Sequence, residues 1–415
     1  MRVPTYIQFK TQLDSMSRQS EDINSLSQRI NSGKKLINSS DDPILSQRIK
    51  STQNYINQIT AYEHNTATAQ NRTKEMEGGI QSSLSGLDRI KELIKSAQSD
   101  TASATDRANI VKELRGLLNN QMSYANTKDS LGEYIFSGTS STTVPFGTMN
   151  GVYHYFGSKE SSMISISPTI NQIYSESGQA VFGDIRLGNG DFVINEGATP
   201  NTGTAETSTG EITDRTNYVE DTYTLTFVTN GNGRVGYQIV GANEGQVIPV
   251  PPATTPTDAP DYQSKDAITF NGMTLSISGN PDVGDSFVIE PSPKQNVLET
   301  INQLITTISN PITNDVDKSK YHQQLNQLGA SIDRASEHLT NYLSDLGYRG
   351  ATIDTEISSN ETIVQNQTVI LGDLSNADLT KIIPEYKQKM LSLDLTSQSY
   401  TSLQALFEQI LKSSF

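Results

Sequence analysis

The two ends of this chain share a pattern that its middle lacks. Residues 5–31 and 385–413 carry apolar side chains at helical spacing and contain neither glycine nor proline, whereas 140–292 is alternating, turn-rich and acidic. An amphipathic helix is marginal in water until its apolar stripe is covered. Each end therefore needs a partner, either the other end or the same helix on a neighbouring molecule. The pattern predicts a mixed fold: an elongated antiparallel α-helical bundle or coiled coil built from both chain ends, with an inserted all-β outer domain.

Phe9, Met16, Ile23 and Ile30 recur every seven residues, and Leu13 and Leu26 widen the row. In the last helix Leu393, Tyr400 and Phe407 form one row, with Leu403, Leu406 and Ile410 beside it. These twelve residues are the candidate assembly interface. The first helix stops at Asn31-Ser32-Gly33, where glycine can take the left-handed C-terminal position. Asp42-Pro43 then reads as N-cap and first helical residue. A stripe from Ile49 through Met76, Ile80, Leu87 and Ile94 continues that helix, and Gly78-Gly79 and Gly86 suggest breaks or bends in it. A turn over Ser99–Asp106 leads to a return helix carrying Ile110 to Met122.

Two hairpins follow from alternation around turn residues. One joins Tyr223-Leu225-Phe227 to Val235-Tyr237-Ile239 through Asn230–Gly233; the other turns at Asn271-Gly272. The proline-rich stretch 249–262 reads as a loop. Helical spacing returns at Val297, pauses at Pro311 and resumes from Leu325. The expected domains are terminal helices 1–42 and 375–415 forming an inner assembly core, a helical bundle of 43–139 and 293–374, and the β-rich outer domain 140–292.

Only 34% of residues are apolar and 7% aromatic, with no Trp, which argues against one large globular core. Zero Cys removes disulfides and thiolate chemistry. No apolar run approaches the ~18 residues of a membrane helix, and the N-terminus lacks the basic-then-apolar pattern of a cleaved signal. A cytoplasmic location, or export with the N-terminus retained, is expected. The net charge of −15 disfavours nucleic acid, and residues 140–292, with 17 acidic against 5 basic side chains, hold most of it. The ends are thus nearly neutral and free to pack closely, while the middle is charged like a solvated domain.

The residues offer no enzyme. Gly231-Asn-Gly-Arg-Val-Gly236 matches a dinucleotide fingerprint formally, yet a β-branched strand follows where a helix is required, so it reads as a hairpin turn. His64, His154, His322 and His338 lack metal-ligand spacing, and His338 is expected at the surface. Asp282 and Asp285 sit in turn chemistry, with a calcium loop the lesser reading. No cofactor or metal is expected.

INSGKKLINSSDDP (30–43), GEYIFSGTSSTTVPF (132–146), NGMTLSISGNPDVGDSF (271–287) and LGDLSNADLTKIIPEY (371–386) resemble the flagellin family of bacterial flagellar proteins. Asp41-Asp42-Pro43 looks like its hook-associated junction members rather than flagellin itself. The signature positions are Gly33, Asp41, Asp42, Pro43, Tyr134, Phe136 and Gly138. The resemblance implies an extracellular structural subunit, exported unfolded through the flagellar secretion channel without a cleaved signal. It also implies terminal helices that order on assembly. The implied partners are copies of itself in a ring, hook-associated protein 1 on the hook side, flagellin on the filament side, and an export chaperone on the C-terminal helix. Two features depart from flagellin: Pro384, where the last helix should either begin or bend, and the Lys412-Ser-Ser-Phe415 end. A minor flagellin, or a secreted coiled-coil adhesin or effector, remains open.

Overall fold

The computed structural model describes residues 3–413 except 254. Its α-helices are α1 (Val3–Ser32), α2 (Pro43–Ala97), α3 (Ala104–Ala125), α4 (Val297–Ser309), α5 (Asp315–Ser375) and α6 (Leu379–Ser413), with all the strands lying between α3 and α4. None is long and apolar enough to cross a membrane. The chain divides into two compact units, residues 1–64 with 356–415, and residues 65–355.

In the smaller unit α1 packs against α6, so the two ends of the chain do partner each other. Asp42 caps α2 as expected, its carboxylate accepting the Leu45 N–H at 2.9 Å, and Pro43 opens the helix. Helix α6 begins five residues before Pro384 and runs through it. Pro384 has no N–H to give the Thr380 carbonyl, and Lys381 and Ile382 anchor the first turn to the Asp378 carbonyl instead.

The larger unit holds two hydrophobic cores. Met76, Ile80, Leu87 and Ile90 of α2 meet Leu114 of α3, Ile301 and Leu304 of α4, and Leu325, Ile332 and Leu339 of α5 in the first. Helix α4 shows why such a short helix holds: Asn296 caps it, and Val297, Leu298, Ile301, Leu304, Ile305 and Ile308 are all buried on one side. Helix α2 neither breaks nor bends out of helical geometry at Gly78-Gly79 or Gly86. Gly79 instead lies under the Phe136 ring and Gly86 under the Gln121 amide, so two of these glycines are contact points, not stops.

The second core fills the β region, with Phe192, Tyr223, Leu225, Phe227, Ile239, Leu275, Ile277 and Phe287 at its centre. A five-stranded antiparallel sheet runs in the order 245–248, 235–241, 223–229, 286–291, 192–196. Both predicted hairpins form. Val235 pairs with Thr229 across the first, and Phe270 pairs with Met273 across a turn in which Asn271 and Gly272 both have positive φ. Of the fingerprint-like glycines, Gly231 and Gly233 lie in the first hairpin's loop and Gly236 in the strand that follows, where a helix would be required.

The outer domain's expected start at residue 140 does not coincide with the change of core. Phe146, Val181, Phe182 and Ile185 are buried with the helices, and the separate β core begins at Phe192. Likewise, the smaller unit extends past the expected 1–42 and 375–415 into α2 and α5.

Candidate assembly interface

The seven-residue row of α1 lies along its contact with α6. Ile23 and Leu26 are 7% and 6% exposed, and Phe9, Met16 and Ile30 are half-buried. Gln12 and Gln19 occupy the intervening inward positions, and the Gln19 Oε1 is buried without a hydrogen-bond partner. From α6, Leu393 and Tyr400 are half-buried, and the Tyr400 ring meets the Phe9 ring edge-on at 5.2 Å between centroids. Lys389 donates to the Asp22 carboxylate at 2.8 Å, a contact that raises the lysine's pKa.

Leu13 does not join this seam. Lying four residues beyond Phe9, it falls on the flank and stays 54% exposed. Leu403 and Leu406 are also exposed, and the side chains of Phe407 and Ile410 lie outside the described residues. The sequence reading missed Leu391 and Leu395, which are 62% and 57% exposed. At 100° per residue, Leu391, Leu395 and Leu406 span about 60° of helix surface, roughly 160° around from the Leu393/Tyr400 row. Helix α6 is therefore apolar on two faces, one turned to α1 and one to solvent.

The helix breaks at the foot of this pair are tied together. Gly33 ends α1 at φ +67°, and its carbonyl accepts the Ala377 N–H at 2.9 Å. Lys35 N–H donates to the Ser375 carbonyl at 2.7 Å. Asp41 closes the loop by accepting the Ile37 and Asn38 N–H groups. The signature residues between Gly33 and Pro43 thus shape the backbone in turn, as left-handed stop, loop closure, N-cap and first helical residue.

The second signature stretch belongs to the larger unit. Phe136 is fully buried, edge-on to Phe182 at 5.1 Å. Tyr134 donates its N–H to the Ser141 carbonyl at 2.8 Å and lies under the Lys128 ammonium at 4.6 Å. Gly138, at φ +63°, leaves no room for a Cβ beside the Ser158 and Glu160 carbonyls. Buried ion pairs that no sequence spacing revealed hold this region down. Arg72 of α2 reaches Asp129 at 2.6 Å and Glu133 at 2.5 Å, and its guanidinium covers the Tyr174 ring. Glu176 is held by Arg349 at 2.6 Å and takes further hydrogen bonds from Ser161 and Tyr342. Burial pushes the Tyr342 phenol well above its usual range, and the Glu176 charge adds to that.

His338 is not a free surface residue: it is half-buried, with Nε2 at 2.8 Å from the Ala180 carbonyl. Asp285 is buried and accepts the Thr202, Gly203 and Asp282 N–H groups, so it builds a turn. Among the described residues no cluster of three or more His, Cys, Asp or Glu is placed to hold a metal.

Helical ends paired across a β insertion define a flagellin-like protein. The family of the bacterial flagellin N-terminal helical region matches residues 3–141. The crystal structure of hook-associated protein-3 from Legionella pneumophila is similar at a TM-score of 0.76 and 34% identity, covering 79% of this chain and 98% of that one. The flagellar junction protein FlgL from the same organism is similar at 0.70 and 36%, covering 74% and 99%. The chain belongs to the flagellar hook-associated protein 3 family. The curated flagellar hook-associated protein 3 of Salmonella typhimurium is 24% identical over 185 residues, which are 45% of this chain and 58% of that relative's length.

Proposed function

We propose that this protein is a structural subunit of the bacterial flagellum, outside the cell, and an adaptor between hook-associated protein 1 and the flagellin filament. The observation that carries the reading is the doubly apolar α6. One face is used within the chain, while Leu391, Leu395 and Leu406 face solvent with nothing among the described residues to cover them. Leu13 and Ile7 add exposed apolar area on α1. A closed ring of copies would cover such rows, each subunit lending its outer face to the next. Neighbours above and below would extend the same packing. Ten of the twelve row residues, those whose side chains are described, then divide in role. Phe9, Met16, Ile23, Leu26, Ile30, Leu393 and Tyr400 form the intrachain seam, and Leu13, Leu403 and Leu406 meet neighbours. Before export the same α6 rows would suit an apolar chaperone groove.

Under this reading the domains act separately: the paired ends assemble, the α2–α5 bundle supports them, and the acidic β region faces outward. Deleting residues 1–30 or 390–415 should leave a folded remainder that cannot assemble. Filament growth supported by either truncated protein in cells lacking the full chain refutes the proposal.

A further inference from the structure

An Asn-Gly pair is chemically labile, because glycine has no Cβ to keep its backbone nitrogen away from the preceding side-chain amide. This chain has five such pairs, at Asn150, Asn189, Asn230, Asn232 and Asn271. Reaction needs two groups idle at once, the asparagine amide and the glycine N–H. In four of the five pairs the fold occupies one or both. Asn189 donates to the Thr209 and Gly210 carbonyls at 3.2 and 3.0 Å, and the Gly190 N–H donates to the Leu187 carbonyl at 3.0 Å. Asn230 is 5% exposed with its amide on Asp261, and the Gly231 N–H donates to the Thr257 carbonyl at 2.9 Å. The nitrogen that would attack Asn232 is tied down, since the Gly233 N–H donates to the Asn230 carbonyl at 2.9 Å. Asn271 is half-buried with its amide on the Tyr223 hydroxyl at 2.9 Å, and Gly272 has no room for a Cβ beside the Asp214 carbonyl.

Asn150 differs in every respect. It and Gly151 form the tip of a hairpin in which Phe146–Met149 pairs with Val152–Tyr155. Both residues are exposed, at φ +54° and +81°, and a Cβ added to Gly151 would meet nothing within 4 Å. Among the described residues, neither the Asn150 amide nor the Gly151 N–H has a hydrogen-bond partner. The Gly151 carbonyl is held loosely, by the Asn302 amide at 3.4 Å. The surroundings are neutral: residues 134–158 contain no Asp, Glu, Lys or Arg. Met149 and Val152, on either side of the tip, are 53% and 40% exposed.

We infer that Asn150 is a site of spontaneous covalent modification, where the chain converts its own side-chain amide to a carboxylate. The Gly151 nitrogen gives up its proton and bonds to the Asn150 Cγ, and the Cγ–Nδ2 bond breaks to release ammonia. Water then opens the cyclic imide. Addition at Cγ gives aspartate; addition at the former backbone carbonyl gives isoaspartate, whose main chain runs through Cβ and Cγ. One water enters and one ammonia leaves, with no oxidant or reductant. The product places a negative charge on an otherwise uncharged hairpin. As isoaspartate it also lengthens the turn and draws the Gly151 carbonyl off Asn302. Aged copies thus present a charged tip where new copies present a neutral, apolar one.

The test incubates the purified full chain in mildly alkaline buffer, beside a mildly acidic sample and a guanidinium-unfolded one, and follows each Asn-Gly peptide by mass spectrometry. Native Asn150 should convert at close to its unfolded rate, and the other four pairs at least about tenfold more slowly. Alkali should accelerate the conversion, and isoaspartate, scored with an isoaspartyl methyltransferase, should be the larger product. Asn150→Gln, which needs a larger ring, should leave that peptide unmodified. Conversion of any other Asn-Gly pair as fast as Asn150 overturns the inference. So does aspartate formed without isoaspartate, or a native Asn150 that stays intact while the unfolded sample reacts.

Discussion

Replacing Leu391, Leu395 and Leu406 together with Gln separates the outer face of α6 from its seam. These side chains are 62%, 57% and 55% exposed, so more than half of each remains available for burial on assembly. Full burial of a Leu contributes about 1.5–3 kcal/mol, so the remaining fraction amounts to roughly 1–1.5 kcal/mol each and about 3–5 kcal/mol per subunit for the three. At 1.4 kcal/mol per decade, the concentration needed for assembly should rise by about two to three orders of magnitude. The isolated chain should barely notice, because Gln has nearly the helix propensity of Leu and these side chains are more exposed than covered within the chain. Sedimentation of assembled material against concentration reads the first quantity, and the thermal midpoint by circular dichroism reads the second. Leu26→Gln is the counterpart, since Leu26 is 6% exposed within the seam and should lower the midpoint of the smaller unit. Assembly of the triple variant at the wild-type concentration refutes the argument, as does a collapse of its thermal midpoint.

Two glycine-to-alanine changes should have opposite signs. Gly116 of α3 has open space around it, so alanine there should stabilise by about 0.5–1 kcal/mol. At Gly86 the new methyl meets Gln121, which is buried and bonded to Ser83, and forfeiting those hydrogen bonds should cost about 1–3 kcal/mol in urea unfolding. Acid should act on the β region through Asp221. Burial pushes its carboxyl up, but backbone N–H groups of Asn243, Glu244 and Thr222, with the Asn243 amide, outweigh this and hold it below the usual range. A depressed carboxyl stabilises the fold above its unfolded pKa of about 3.9 and loses that contribution as pH falls through the folded value. Asp221→Asn should therefore lower the midpoint at pH 7 and flatten its decline below about pH 4, as followed by tyrosine fluorescence.

What the sequence revealed was whatever repeats locally. A seven-residue period identifies a helix face without reference to anything else, which is why Phe9, Met16, Ile23 and Ile30 fell on the seam. Alternation around Asn271-Gly272 was equally self-contained, because the turn's backbone geometry is set by those two residues. Leu13 flanks the seam rather than widening it because position i+4 can extend a stripe or flank it, and only the partner helix decides; here Gln12 and Gln19 take the inward places. Leu391 and Leu395 were overlooked because a second apolar face looks like noise when one face is sought. Gly86 was misread for a related reason: propensity penalises a helical glycine, and the Gln121 amide that requires it comes from another helix. Phe146 opens a strand, yet it is buried in the core that the helices share rather than in the β core. Arg72 with Asp129 and Glu133, and Glu176 with Arg349, join residues 57 to 173 positions apart and leave no local trace.

Asp22 and Lys389 touch across 367 residues of chain. Contacts that distant are the last a folding polypeptide can make, since everything between must first exist and be brought round. A copy that ends before α6 has an α1 with nothing to zip against. The docked pair of ends thus reports on the far end of the chain: without α6 the Asp22–Lys389 contact cannot form.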